Sequence, residues 1–205
     1  DENRSGAFGQ LSQDQLASLE RVMVQLFRLE RTVKGLLDLS VMEMGQGVSV
    51  ESFDLAELLL SLVDDYRYIA EQHGLALKTD LVAPCSVHGD KDKLYRIFSN
   101  LLDNGIKYNI LDGEISLESR REGEYWQIII TNTGPGISEE ELPNVFDQFY
   151  RGAGQTGVMR PEGAGLGLSI VRKVVQIHGG SVEIASSPNG KTRVYVLLPA
   201  REIMP

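Results

Sequence analysis

Near the start of the chain, Leu19, Met23, Leu26, Val33 and Leu37 recur at spacings of three, four and seven residues. That period predicts one long helix with a single apolar stripe, entered from the polar, glycine-containing "DENRSGAFGQ" and left near "EMGQG". Nothing ahead of it in the sequence covers the stripe. The expectation is a partner helix from a segment outside these residues or from a second chain, with folding back onto the downstream residues as the alternative.

The pattern changes after a linker, "GQGVSVESF". Asp54 with Glu57 three positions on makes a capping-box-like start, and Leu55, Leu58, Leu59, Leu62, Val63 and Ile69 continue a helix to Gly74. "LALKTDL" alternates as a half-buried strand does. Asp90 can cap the next helix, in which Leu94, Ile97, Leu101 and Leu102 form the apolar face. "EISLESRREGEYWQIIITN" reads as a hairpin, residues 133 to 165 as glycine-rich loop, "GLSIVRKVVQIHGG" as a helix closed by glycine, and "SVEIASSPNGKTRVYVLLP" as two strands joined at Asn189-Gly190. From residue 54 the order is helix, strand, helix, strand, strand, loop, helix, strand, strand. It predicts an α+β layer of helices on one face of a mixed or antiparallel sheet.

Composition narrows the function. A chain of 205 residues that is 42% hydrophobic can bury one full core and carry a smaller appendage. No apolar run approaches the roughly 20 residues needed to cross a bilayer, and no leader pattern opens the chain, so a cytoplasmic setting without membrane contact is expected. The net charge of −9 is spread along the sequence and argues against nucleic acid. Cys85 stands alone, expected partly buried in a turn, and His73, His88 and His178 are too scattered for a metal cluster.

Four segments carry chemistry. In "FSNLLDNGIKYN", Asn100, Asn104 and Lys107 share a helix face at i, i+4 and i+7. Amide oxygens suit magnesium, which prefers to share its ligands with phosphates, and a lysine one turn on can meet a phosphate. A solvated face with fortuitous amides is the plainer alternative. "NTGPGI" puts Gly134 and Gly136 after a strand ending in Asn132, where backbone can approach a flat ligand, although Gly-Pro-Gly is first of all a turn. "GAGLGLSI" sets Gly163, Gly165 and Gly167 before a helix, whose free N–H groups favour phosphate. Between them "VFDQFYRG", with Phe146, Phe149 and Arg151, leads into a loop able to close over a ligand or simply to cross the surface.

In this order and spacing, "NLLDNGIKYN", "NTGPGI", "FDQFYRG" and "GAGLGLSI" resemble the N, G1, F and G2 boxes of sensor histidine kinases. The resemblance implies the GHKL (Bergerat) fold, a two-layer α/β sandwich, for residues 49 to 205. It also implies that residues 1 to 48 hold part of the dimerisation and histidine-phosphotransfer hairpin, with "LLDLSVMEMG" in its second helix. On that resemblance Asn104 would ligate Mg²⁺ and Asn100 would support it. Lys107 and Tyr108 would line the phosphates and lid of bound ATP. Asn132, Gly134, Gly136 and Ile137 would shape the adenine pocket, Phe146, Phe149 and Arg151 would anchor the lid, and Gly163, Gly165, Leu166 and Gly167 would wrap the triphosphate.

The implied activity is an ATP-dependent protein-histidine kinase, passing the γ-phosphate to a histidine and onward to a response-regulator aspartate, in a protein that dimerises through its hairpin helices. Three departures qualify it. Asn132 stands where the family usually has aspartate, Gly105 where alanine is usual, and no motif like the phosphoacceptor H-box occurs, so the chain reads as a fragment without the residue it phosphorylates. Hydrolysis of the gyrase and Hsp90 kind is disfavoured, because the base glutamate of those proteins corresponds here to Asn100. The remaining alternative is a catalytically weakened or inactive GHKL module that works by interaction and dimerisation.

Overall fold

The computed structural model describes residues 12–43, 49–152, 164–188 and 190–201, with some side chains of the first helix left aside. Helix α1 spans Gln13–Glu43, strand β1 Glu51–Asp54 and helix α2 Leu55–Gln72. Then follow β2 (Ala76–Asp80), β3 (Ser86–Gly89), α3 (Lys91–Lys107), β4 (Glu114–Glu122) and β5 (Tyr125–Asn132). The chain continues with α4 (Gly167–Ile177), β6 (Ser181–Ala185) and β7 (Thr192–Pro199).

Five strands form a mixed sheet in the order β2-β4-β5-β7-β6. Only β2 and β4 run parallel, and α3 supplies the crossover that a parallel pair needs. The tight β4–β5 turn holds Gly123 at φ +57°, which suits a residue without Cβ. On one face the sheet presents Ile115, Leu117, Trp126, Ile128, Ile130, Val194, Val196 and Leu198, all buried in one core with the apolar stripes of α2, α3 and α4. The expected helix layer on one side of a mixed sheet is what forms.

Helix starts follow their caps. The Asp54 carboxylate accepts from the Ala56 N–H at 2.9 Å, and that of Asp90 from the Lys93 N–H at 3.0 Å, satisfying donors that a helix leaves open. Two elements were not anticipated. β1 and β3 pair antiparallel, Phe53 opposite Val87, where the sequence suggested linker for the first and left strand or turn open around His88 for the second. Cys85, expected partly buried, is fully buried, its N–H donates to Asp54 at 2.7 Å, and burial pushes its thiol up to about 12.

The outer face of the sheet is polar. A shallow cleft of about 400 Å³ there is lined by Lys78, Glu114, Thr131, Lys191 and Arg193 among others. Glu114 already pairs with Lys78 and, at 3.4 Å, with Lys191, so this cleft has no open charge to offer through those groups.

Candidate functional site

Helix α3 carries three distinct faces, and its second one holds the candidate metal ligands. While Leu94, Ile97, Phe98, Leu101 and Leu102 are buried in the core, Asn100 and Asn104 remain half-buried beside them. Neither side-chain amide makes a hydrogen bond among the described residues. Helix α4 begins at Gly167 with no side chain capping its N-terminus. A Cβ placed on Gly167 would stand 4.0 Å from Asn104 Nδ2. The amide edge of α3 and the open N–H groups of α4 are therefore neighbours.

Lys107 closes α3, exposed, and Tyr108 is its C-cap, with the ring 45% exposed. The Tyr108 carbonyl then meets the next segment. Asn132, at the end of β5 and only 8% exposed, donates through Nδ2 to the Thr133 carbonyl at 2.9 Å and the Tyr108 carbonyl at 3.4 Å. Its Oδ1 accepts no hydrogen bond among the described residues. Flipping the amide would set oxygen against two carbonyl oxygens, so the acceptor is held outward.

Gly134 is needed where it stands, because a Cβ there would fall 2.3 Å from the Tyr108 carbonyl oxygen. Gly136, at φ +72°, would bring a Cβ to 1.8 Å from the Ser187 carbonyl, and the neighbouring Ile137 N–H donates to Ser186 Oγ at 2.9 Å. These glycines tie the loop closely to α3 and to the β6–β7 connection. The backbone approach that the sequence suggested toward a ligand is, in the ligand-free fold, first an approach to other backbone.

A supporting network escaped the sequence reading. Thr133 Oγ1 donates to Asn109 Oδ1 at 2.6 Å and accepts from the Glu114 N–H at 2.8 Å, and Asn109 Nδ2 donates to the Gly105 carbonyl at 3.0 Å. It staples the end of α3 to the ends of β4 and β5. Its signal was present as two small polar residues directly behind the motifs, Asn109 after "IKY" and Thr133 before "GPG".

In the segment that carries Phe146 and Phe149, the Arg172 guanidinium lies 5.6 Å from the centre of the Phe146 ring and 3.7 Å from Asp147. Phe149, which could have tucked into the core, is 53% exposed and takes φ +64°, a left-handed conformation uncommon outside glycine. Its N–H donates to the Gly165 carbonyl at 2.9 Å, which brings the two ends of the intervening loop together. Arg151 is half-buried beside them. Gly163 lies outside the described residues. Leu166 is buried, with its Cδ1 3.0 Å from the place a Cβ on Gly35 of α1 would take, so its side chain belongs to the core.

What can these groups hold? No cluster of three or more His, Cys, Asp or Glu suited to a metal occurs among the described residues. Two amide oxygens fit a magnesium ion that draws its remaining ligands from phosphates and water. The three histidines are committed elsewhere: His73 donates to the Ile69 carbonyl at 2.8 Å, His88 pairs with Ser52 Oγ at 3.1 Å, and His178 caps α4.

Residues 89–202 match the model of the histidine kinase-, DNA gyrase B- and HSP90-like ATPase family. The chain belongs to this family. Sensor protein SphS of Synechococcus elongatus is 32% identical over 191 residues, which cover 88% of this chain and 46% of SphS. The chain thus spans about half the length of that relative, and it is homologous to sensor histidine kinases. Among solved structures, full-length ShkA in complex with AMPPNP aligns with a TM-score of 0.79 at 19% identity, covering 96% of this chain and 41% of ShkA. Histidine kinase ThkA in complex with response regulator TrrA gives 0.74 at 22% identity, covering 94% of this chain and 53% of that one. At these identities the two structures support the ATPase fold, with its helices over one face of a mixed sheet.

Proposed function

We propose that this chain is the catalytic ATP-binding region of a sensor histidine kinase. The observation that carries the reading is the meeting of Asn104, whose amide has no partner among the described residues, with the uncapped start of α4; Asn100 lies one turn earlier on the same face of α3, and Asn132 holds an acceptor outward at the end of β5. In this reading residues 49 to 205 bind the nucleotide and residues 1 to 48 belong to the dimerisation hairpin.

Each group has one task. Asn132 Oδ1 accepts from the adenine amino group, and Gly134, Gly136 and Ile137 shape the pocket around the base. The N–H groups at Gly165, Gly167 and the residues behind them take up phosphate oxygens, with Lys107, Tyr108, Phe149 and Arg151 at the phosphate and lid edge. Asn104, supported by Asn100, holds Mg²⁺, which when bound neutralises phosphate charge. A histidine outside this chain attacks the γ-phosphorus, the bond to the β–γ bridging oxygen breaks, and ADP leaves. Catalysis is positioning and charge neutralisation.

Water is a poor competitor at this site. A hydrolase needs a base near the attacking water, and Asn100 takes no proton. The nearest carboxylate along the helix, Asp103, instead accepts from Tyr66 Oη at 3.0 Å. The expected receiver of the phosphoryl group is a response regulator, as ThkA binds TrrA, docking near α1. No described helix is long and apolar enough to cross a membrane, in keeping with a cytoplasmic catalytic region.

Calorimetric titration with a non-hydrolysable ATP analogue and Mg²⁺ tests the reading. The parent is expected to bind, and Asn104→Ala to lose the part of the affinity that depends on Mg²⁺. No binding by the parent overturns the reading and favours the alternative of an interaction module that has lost its ligand, for which the neutral Asn132 is the specific sign.

A further inference from the structure

The third face of α3 has no part in the site as described. Tyr95, Ser99 and Asp103 follow one another at intervals of four, one residue behind the Asn100 and Asn104 stripe, and this face meets α2. Tyr66 of α2 donates its hydroxyl to Asp103 Oδ1 at 3.0 Å and to the Ser99 carbonyl at 3.3 Å. In the opposite sense, Tyr95 of α3 donates to Asp65 Oδ2 of α2 at 3.0 Å. Each helix gives a tyrosine and receives one on an aspartate. Burial, then the charge of Asp103, raises the Tyr66 hydroxyl above its ordinary range, so it stays a donor.

Apolar packing alone leaves a helix free to roll slightly, whereas hydrogen bonds are directional. The layer is kept at a cost: Ser99 Oγ is buried without a partner, the one such side-chain atom among the described residues. A residue that small lets Tyr66 reach the main chain behind it. The geometry at stake is fine. A side-chain atom about 6 Å from a helix axis moves by about 1 Å when the helix rolls by about 10°. Magnesium demands ligands near 2.0–2.1 Å in nearly ideal octahedral arrangement, so a shift of that order is enough to break coordination.

We propose that Tyr66 is a positioning residue for the metal edge: through Asp103 and the Ser99 carbonyl it sets the roll of α3, and thereby the aim of the Asn100 and Asn104 amides. The inference rests on the nucleotide reading above. Tyr66 touches neither nucleotide nor metal and acts only through α3. What it governs is the metal-linked share of affinity.

The test measures affinity for a non-hydrolysable ATP analogue by calorimetry, with Mg²⁺ and with chelator, on the whole 205-residue chain. In Tyr66→Phe, which removes a single oxygen, the gain in affinity on adding Mg²⁺ is expected to fall by about two- to ten-fold, the worth of one hydrogen bond, with metal-free affinity unchanged. Asp103→Asn, which keeps an acceptor for Tyr66, retains the gain, and Asp103→Leu loses it. A Tyr66→Phe chain with the parent's full Mg²⁺ gain overturns the proposal, even if its unfolding temperature drops. Loss of the gain in Asp103→Asn also overturns it, by showing that the charge matters rather than the aim. A parent that binds the analogue with no Mg²⁺ gain fails at the metal reading itself and takes this proposal with it.

Discussion

Asn132 holds its amide nitrogen on two backbone carbonyls and leaves one neutral acceptor for a ligand. Asn132→Asp changes both ends of that arrangement. One carboxylate oxygen must face the Thr133 and Tyr108 carbonyl oxygens without a proton to donate, which costs about 1–3 kcal/mol at a site this buried. The other becomes a charged acceptor, worth about 1 kcal/mol more to a base amino group than a neutral one. The expected outcome is a lower unfolding temperature without ligand together with about five-fold tighter binding of the ATP analogue. Equal stability in thermal unfolding would show that the amide clamp is not holding. The role of Asn132 as an acceptor was legible in the sequence, since it ends a strand before "TGPG". Its clamp was not, because Tyr108 lies 24 residues away and contributes a carbonyl, which every residue has. Gly105 shows the converse. It is a helix position where the nearest atoms a Cβ would meet outside its own helix are those of the Ile115 side chain at 3.4–3.6 Å, ordinary contact, so the fold around it does not demand the glycine.

At the scale of elements, α3 and α4 are joined at their outer ends by His178. The imidazole accepts the Asp90 N–H on Nε2 at 2.9 Å and donates from Nδ1 to the Val174 carbonyl at 2.7 Å, which only the neutral ring can do. Gly89 makes room, since a Cβ there would come within 2.5 Å of the ring. Burial lowers the His178 pKa from its ordinary value. The Val174 hydrogen bond and the charge of Asp90 oppose that shift, and Lys93 adds to it. The sign follows: the unfolded chain takes up a proton that the folded one refuses, so the contribution is complete above the unfolded pKa of about 6.5 and is lost as pH falls from there toward the lowered folded value. Denaturant unfolding of the parent should lose stability across that window, by at most about 1.4 kcal/mol per pH unit from this group, and His178→Asn should flatten that part of the profile. An unchanged slope in the variant would assign the pH dependence to other groups. The long elements were readable because repeated apolar spacing over many residues leaves little choice of period. β1 and β3, four residues each, are too short to show a period, and their pairing is a tertiary event.

Among the described residues, α1 presents a large apolar surface that no other described element covers. Along α1, Leu16, Leu19, Met23, Leu26, Val33 and Leu37 are each 46–61% exposed, and with Glu30 they make an unbroken alternation of three and four residues. Contact with the rest of the chain comes near the C-terminal end, where Gly35 is buried against Leu166 and Ile170 of the α4 region. Among the described residues that contact leaves the six apolar side chains of the stripe exposed. A spacing of three and four is the seam of a coiled coil, and one polar residue within it restricts the register at some cost in stability. A second copy of the same helix matches it in length and spacing, so the prediction is a dimer through α1. The chain should therefore sediment as a concentration-dependent dimer, and Leu19→Glu with Leu26→Glu should shift it to monomer while leaving analogue binding within about two-fold, because those positions precede Gly35, where α1 meets Leu166 and Ile170, by nine residues or more. A chain that sediments as monomer at every concentration would leave the stripe to a different helix.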